Sequence, residues 1–118
     1  MAVEDATTYV CPVELALGAI AGKWKPAILW ELSAGPKRFG ELQAALPGIA
    51  HKVLSQQLAQ LAGDGMVMRC DAESETAGYA LTALGATLRP ALNALAQWGK
   101  EHGAIASRRD HGRRGNAP

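Results

Sequence analysis

Aromatic residues are scarce in this chain. One Phe, two Tyr and three Trp make up 5% of its 118 residues, so a core must come mainly from Leu, Ile, Val and Ala. Cysteine is scarcer still: Cys11 and Cys70 are too few for a disulfide scaffold. No run of about eighteen apolar residues occurs, which argues against a membrane-spanning helix. The opening MAVEDATTYV is acidic and has no basic flank before an apolar run, so no secretory signal is expected. These absences predict a cytoplasmic protein. The chain also lacks a glycine-rich phosphate loop before a helix, a nucleophile elbow and a paired-carboxylate pattern, and no enzyme is expected. Cys11, Cys70, His51, His102 and His111 show neither C-x-x-C nor H-x-x-x-H spacing, so neither a metal nor another cofactor is expected.

What is present is a chain of one-domain length with 48% apolar residues. The net charge is only +1, but the charges are segregated. Residues 1–22 carry Glu4, Asp5 and Glu14 and no base. Residues 23–69 carry Lys23, Lys25, Lys37, Arg38, Lys52 and Arg69 against Glu31, Glu41 and Asp64. Acids prevail again up to Ser107, after which Arg108, Arg109, Arg113 and Arg114 face one Asp110. Such segregation can give a nearly neutral protein a basic face, although ordinary solvated charge would look the same.

The apolar spacing predicts helices almost throughout. Pro12 suits a first helical position; Val13, Leu17 and Ile20 follow at helical spacing, and Gly22 ends the segment. Pro26 opens a second helix with Ile28, Leu29 and Leu32 as its stripe, stopped by Ala34-Gly35-Pro36. Phe39, Leu42 and Leu46 mark a short third helix that ends at Pro47-Gly48. A fourth runs from about Ala50 to Ala62, with Leu54, Leu58 and Leu61 on one face. Met66 to Cys70 reads as a strand, Asp71 to Gly78 as a loop, and Tyr79 to Leu81 as the return strand. Thr82 is a good cap for a last helix whose stripe is Leu84, Leu88, Leu92, Leu95 and Trp98; Pro90 should kink or split it. Trp24 and Trp30 are expected in the core. The expected organisation is an N-terminal arm over residues 1–10, a domain over 11–103, and a basic flexible tail over 104–118.

Two short helices joined by a Pro-Gly turn, then a hairpin, is the order of a winged helix-turn-helix: mainly α with a small β-hairpin wing. In that arrangement the second helix of the pair enters the DNA major groove. Here its polar face offers His51, Lys52, Ser55, Gln56 and Gln60, and no acid stands on residues 50–62. Gln can bond adenine in a bidentate way, Lys can reach guanine, and Ser takes either role. Lys37, Arg38 and Arg69 are expected on the phosphate backbone. The expected function is sequence-specific binding of double-stranded DNA in transcription regulation. The alternative is a winged-helix module for protein–protein contact, which would tend to expose apolar residues on that helix face.

These residues also carry a resemblance. Cys11-Pro12-Val13, Gly22-Lys23-Trp24, the run Gly35 to Phe39 with Leu42, Leu46-Pro47-Gly48-Ile49, Asp64 to Val67, and Leu81-Thr82 with Gly85 stand in the order and spacing of the HxlR family of bacterial regulators, of the broader MarR-like type. Residues 11–99 resemble that family. The resemblance implies a dimeric winged-helix transcription factor whose N- and C-terminal helices build the dimer. Val13, Leu17, Ile20, Leu88, Leu92, Leu95 and Trp98 are the expected interface, and a palindromic operator would follow. Two departures stand out. Ala50 replaces the family's usual capping Ser, and the wing DAESETAG has three acids and no base. Wing contact with DNA is therefore in question; the basic tail could substitute or could simply be solvated.

Several members of that family respond to oxidants or electrophiles through a cysteine near the N-terminus, and Cys11 matches that position. A helix start favours an anion and can lower a thiol pKa, whereas the Glu14 carboxylate one turn on would oppose a thiolate. The competing reading of Cys11 is an apolar cysteine in the dimer interface. Cys70 is expected to be structural. No effector can be named from the residues.

Overall fold

The computed structural model describes the backbone of residues 9–70 and 78–115, and side chains for residues 9–70 and 78–103. The element order is α1 (Pro12–Ala19), α2 (Lys25–Ser33), α3 (Phe39–Ala45), α4 (His51–Gly63), β1 (Val67–Cys70), β2 (Gly78–Leu81), α5 (Ala83–Ala86) and α6 (Arg89–Gly115). The fold is a winged helix-turn-helix, as expected. Among the described residues no helix is long and apolar enough to cross a membrane.

The centre of the core is aliphatic. Ile28, Leu29 and Leu32 of α2, Leu42 of α3, and Leu54, Leu58 and Leu61 of α4 are fully buried. Each such side chain contributes about 1.5–3 kcal/mol by leaving water, and together they lock α3 and α4 onto α2. Trp24, Phe39 and Val53 close the edges as half-buried side chains. Trp30 departs from expectation: it is 38% exposed. It faces away from the Ile28/Leu29/Leu32 stripe, toward a hollow lined also by Pro26 and Leu95.

The end of α4 fixes where the wing begins. Gly65 has φ +78°, a left-handed conformation that glycine adopts without penalty. Its N–H donates to Ala62 O at 3.0 Å, and the Met66 N–H donates to Leu61 O at 2.9 Å. This pair of bonds, with buried Met66 against buried Leu61, is a Schellman motif. Met66 is therefore the last residue of the cap, and the strand starts one residue later than its β-like composition suggests.

β1 and β2 pair antiparallel with Val67 opposite Leu81 and Arg69 opposite Tyr79. Lys37 adds an isolated bridge to Tyr79 on the other edge of β2, so the segment before α3 is tied to the wing. The approach is close: a Cβ on Gly78 would lie 2.6 Å from Lys37 O. The acidic segment Asp71–Ala77 of the wing lies outside the described residues.

Thr82 caps α5 as expected, accepting from the Gly85 N–H at 3.0 Å. Its hydroxyl also donates to Gly65 O, which ties α5 to the end of α4. Pro90 splits the expected single helix. The chain turns at Thr87–Leu88 and α6 starts at Arg89, which puts Pro90 in a first turn where its missing N–H is harmless. Beyond Ser107 the backbone stays helical to Gly115, where irregular chain was expected. Four arginines, which are good helix formers, stand in that stretch, and no proline interrupts them before Pro118. Residues 1–8 of the expected arm and 116–118 of the tail lie outside the described residues.

Candidate nucleic-acid interface

The outer face of α4 is built by its inner face. Leu54, Leu58 and Leu61 take the buried side, so Lys52, Ser55, Gln56 and Gln60 are left exposed on the opposite side. These positions recur three and four apart and so form one stripe along the helix. No carboxylate belongs to the helix.

The start of α4 is locally costly. Ala50 is the N-cap and supplies no side-chain bond, and the first turn holds no acid. It holds Lys52, a cation at the positive end of the helix dipole. The uncapped N–H groups and the lysine both disfavour the isolated helix by tenths of a kcal/mol to about 1 kcal/mol. An anion placed there would relieve both. His51, also exposed, packs its ring against Phe39 of α3 with centroids 4.5 Å apart and planes tilted by 43°. Gln43 of α3 reaches across the turn, its Nε2 donating to Ile49 O at 3.4 Å. These contacts fix the start of α4 relative to α3.

Lys37 and Arg38 lie at the start of α3, where Lys37 is half-buried and Arg38 exposed. Their potential is moderated by Glu41, whose Oε1 accepts from the Arg38 backbone N–H at 2.8 Å. Arg69 sits elsewhere than on the helix pair. It projects from β1 with its guanidinium 5.6 Å from the centre of the Tyr79 ring. The eight expected DNA-contacting residues thus fall into two groups: His51, Lys52, Ser55, Gln56 and Gln60 on α4, and Lys37, Arg38 and Arg69 around β2. Sequence reading missed Tyr79, which joins the members of the second group. An aromatic residue on a strand gives no periodic sign of what lies beyond its edge.

The expected interface residues divide differently. Ile20 and Leu92 are 7% and 5% exposed and belong to the core of the single chain; Leu88 is half-buried against it. α6 packs back onto the domain, which the amphipathic stripe alone could not reveal. Val13, Leu17, Leu95 and Trp98 are more than half exposed. No residue of α1 is buried. An open apolar hollow of ≈ 350 Å³ runs beside it toward Leu92 and Leu95, and a second of ≈ 480 Å³ opens between α2 and α6, lined by Trp30, Leu92 and Leu95.

Cys11 is the N-cap of α1 and half-buried. The Glu14 backbone N–H, then that of Val13, holds the thiol below its ordinary value, aided by the Tyr9 side chain and opposed by desolvation. The sequence reading weighed the Glu14 carboxylate against the thiolate; the contribution of Glu14 comes instead from its backbone. Cys70, at the end of β1, is also half-buried and free. Among the described residues no cluster of three or more His, Cys, Asp or Glu could hold a metal ion.

A family model described as HxlR-like helix-turn-helix matches residues 19–106. The chain is 40% identical over 102 residues to MalR of Fusobacterium mortiferum, a candidate regulatory protein by name, covering 84% of this chain and 96% of the relative. It is 39% identical over 95 residues to the uncharacterized HTH-type transcriptional regulator YdzF of Bacillus subtilis, covering 78% and 87%. Among solved structures, the redox regulator HypR in its reduced form superposes with a TM-score of 0.74 at 33% identity, covering 82% of this chain and 98% of that one.

Proposed function

The chain belongs to the HxlR-like helix-turn-helix family and is a transcriptional regulator; from that premise we propose that it binds double-stranded DNA sequence-specifically as a homodimer, under thiol control at Cys11. The observation that carries the reading is the start of α4. There an exposed stripe of Lys52, Ser55, Gln56 and Gln60 adjoins an uncapped, acid-free helix end. Local rules are broken at one spot, and DNA would repair both breaches: phosphate at the bare N–H groups, and base edges along the stripe. Residues 37–38 and Arg69 then serve as phosphate contacts, which set register rather than sequence.

A second copy supplies what α1 lacks. Val13 and Leu17, with Leu95 and Trp98, form an apolar face that a two-fold partner can bury against its own equivalent. Two copies would set their α4 helices about 34 Å apart and favour a palindromic operator.

Thiol control follows from the position of Cys11 at the head of that face. A lowered thiol pKa raises the thiolate fraction, which is the reactive form. Added bulk or a cross-link at the start of α1 would change how two copies of the helix meet, and a shift of a few kcal/mol is enough to change operator occupancy.

The experiment is a gel shift across a salt series on DNA upstream of the protein's own coding region, with random duplex as competitor. Specific retardation that weakens steeply with salt supports the reading; equal affinity for both duplexes contradicts it. The same assay is run with wild type and Cys11→Ser after diamide, which takes two electrons and two protons from a pair of thiols as a disulfide forms. Loss of binding in wild type alone supports the switch. Unchanged binding by wild type carrying modified Cys11 contradicts it, and a response in Cys11→Ser moves the sensor to another residue, most simply Cys70.

A further inference from the structure

Tyr79 meets two basic regions of the chain at once. Its backbone pairs with Lys37 on one edge of β2: the Lys37 N–H donates to Tyr79 O at 3.0 Å, and the Tyr79 N–H donates to Lys37 O at 2.8 Å. Its ring serves Arg69 on the other edge. Arg69 is the cross-strand partner of Tyr79, and its guanidinium lies 5.6 Å from the ring centre. Gly78 lets the two segments approach, since any side chain there would run into the Lys37 carbonyl. Lys37 and Arg69 are 32 residues apart in sequence, yet a single residue separates them in the folded chain.

We propose that Tyr79 is a positioning residue for DNA binding, holding the Arg69 guanidinium ready for a phosphate at a fixed distance from the Lys37–Arg38 segment. The proposal rests on the DNA-binding reading above. The chemistry of the pair suits the task. A guanidinium stacks through its flat face, while its N–H donors point outward in the plane. Held over the Tyr79 ring, 5.6 Å from its centre, the guanidinium keeps donors available for a phosphate, and a charge-assisted, bidentate contact is the geometry it favours. A long exposed arginine otherwise loses considerable rotamer freedom when it binds. The ring removes part of that loss beforehand. The backbone bridge fixes the main chain of Lys37 without involving the Tyr79 side chain, so of the two basic regions that side chain, which also packs against the core, meets only Arg69.

This division makes the proposal separable from a general role in folding. Affinity and salt slope are measured on random duplex for wild type, Tyr79→Phe, Tyr79→Leu, Arg69→Ala and Arg69→Ala/Tyr79→Leu. Tyr79→Phe keeps the aromatic face and should match wild type. Tyr79→Leu keeps an apolar strand residue and should weaken binding about two- to five-fold. Arg69→Ala should lower the salt slope by about one unit. In the Arg69→Ala background Tyr79→Leu should cost nothing further. An equal loss from Tyr79→Leu in both backgrounds would overturn the proposal, because Tyr79 would then act on the fold and not through Arg69. A readout without DNA completes the test. In the free protein the Arg69 side-chain protons should be shifted upfield by the ring in wild type and Tyr79→Phe, and not in Tyr79→Leu. Absence of that shift in wild type overturns the pairing whatever the DNA result. The shift present in a wild type that binds no DNA even at low salt defeats the DNA reading itself, and the positioning role with it.

Discussion

Helices α1 and α4 are both rich in apolar residues, and the chain treats them in opposite ways. α4 hides Leu54, Leu58 and Leu61 completely and shows a polar stripe. α1 presents Val13, Leu15 and Leu17 to the outside and buries nothing. The difference lies in where each helix finds its partner. α4 has α2 and α3 beneath it in the same chain, so its amphipathic pattern is satisfied by one copy. Among the described residues α1 borders α6 and the region of Asp64, Met66 and Leu84 without burying a residue against either, and an eight-residue helix with no buried face is marginal in water. On the reading proposed above, α4 is finished by folding and α1 by association. What remains exposed on each helix after its own requirement is met then has a reading: DNA for α4, a second copy for α1.

The strongest challenge to this contrast is Leu17→Glu. In a two-fold dimer the substitution removes two buried leucines, roughly 3–6 kcal/mol of association. Sedimentation equilibrium should show association weakened at least about a hundred-fold, while the far-ultraviolet circular dichroism of the monomer stays native. A dimer of unchanged affinity would break the comparison on the α1 side. Leu58→Ala tests the other side. Its side chain is 1% exposed, and truncation should cost about 2–5 kcal/mol in urea unfolding; a cost like that of a surface site would mean α4 is not held from within the chain. Gln56→Ala should leave stability alone and cost about 1–3 kcal/mol on the operator, with little change on random duplex. Equal losses on both would strip Gln56 of any role in reading sequence. The smallest effect is Ala50→Ser, which restores a cap and should raise stability by about 1 kcal/mol. Calorimetry reads the gain directly, and no gain would mean that the helix start is already satisfied in the free protein.

The sequence made α4 legible because both halves of its pattern answer to local rules: leucines at helical spacing, polar residues between them, and Gly65 where the cap must turn. The split at Pro90 and the cap at Thr82 were legible for the same reason. Legibility failed where distant segments decide. Leu92 and Leu95 share one stripe, yet Leu92 enters the core and Leu95 does not, because only the packing angle of α6 separates them. Trp30 has the composition of a core residue and the position of a surface one. The bridge from Lys37 to Tyr79 joins residues whose neighbourhood no periodicity announces, so the second basic group was named residue by residue without its common support. The wing segment Asp71–Ala77 lies outside the described residues, and its acids, which set it apart from a DNA-tracking wing, stay a feature of the sequence.

The most direct measurement of a paired, DNA-reading regulator is a hydroxyl-radical footprint on duplex recovered by repeated selection from random sequence with the wild-type protein. The expected result is an enriched palindrome with two protected half-sites related by two-fold symmetry and centred about one helical turn, roughly 34 Å, apart. Recovery of no preferred sequence, or of a single unpaired half-site, would contradict the pairing of α1 with the reading of DNA by α4.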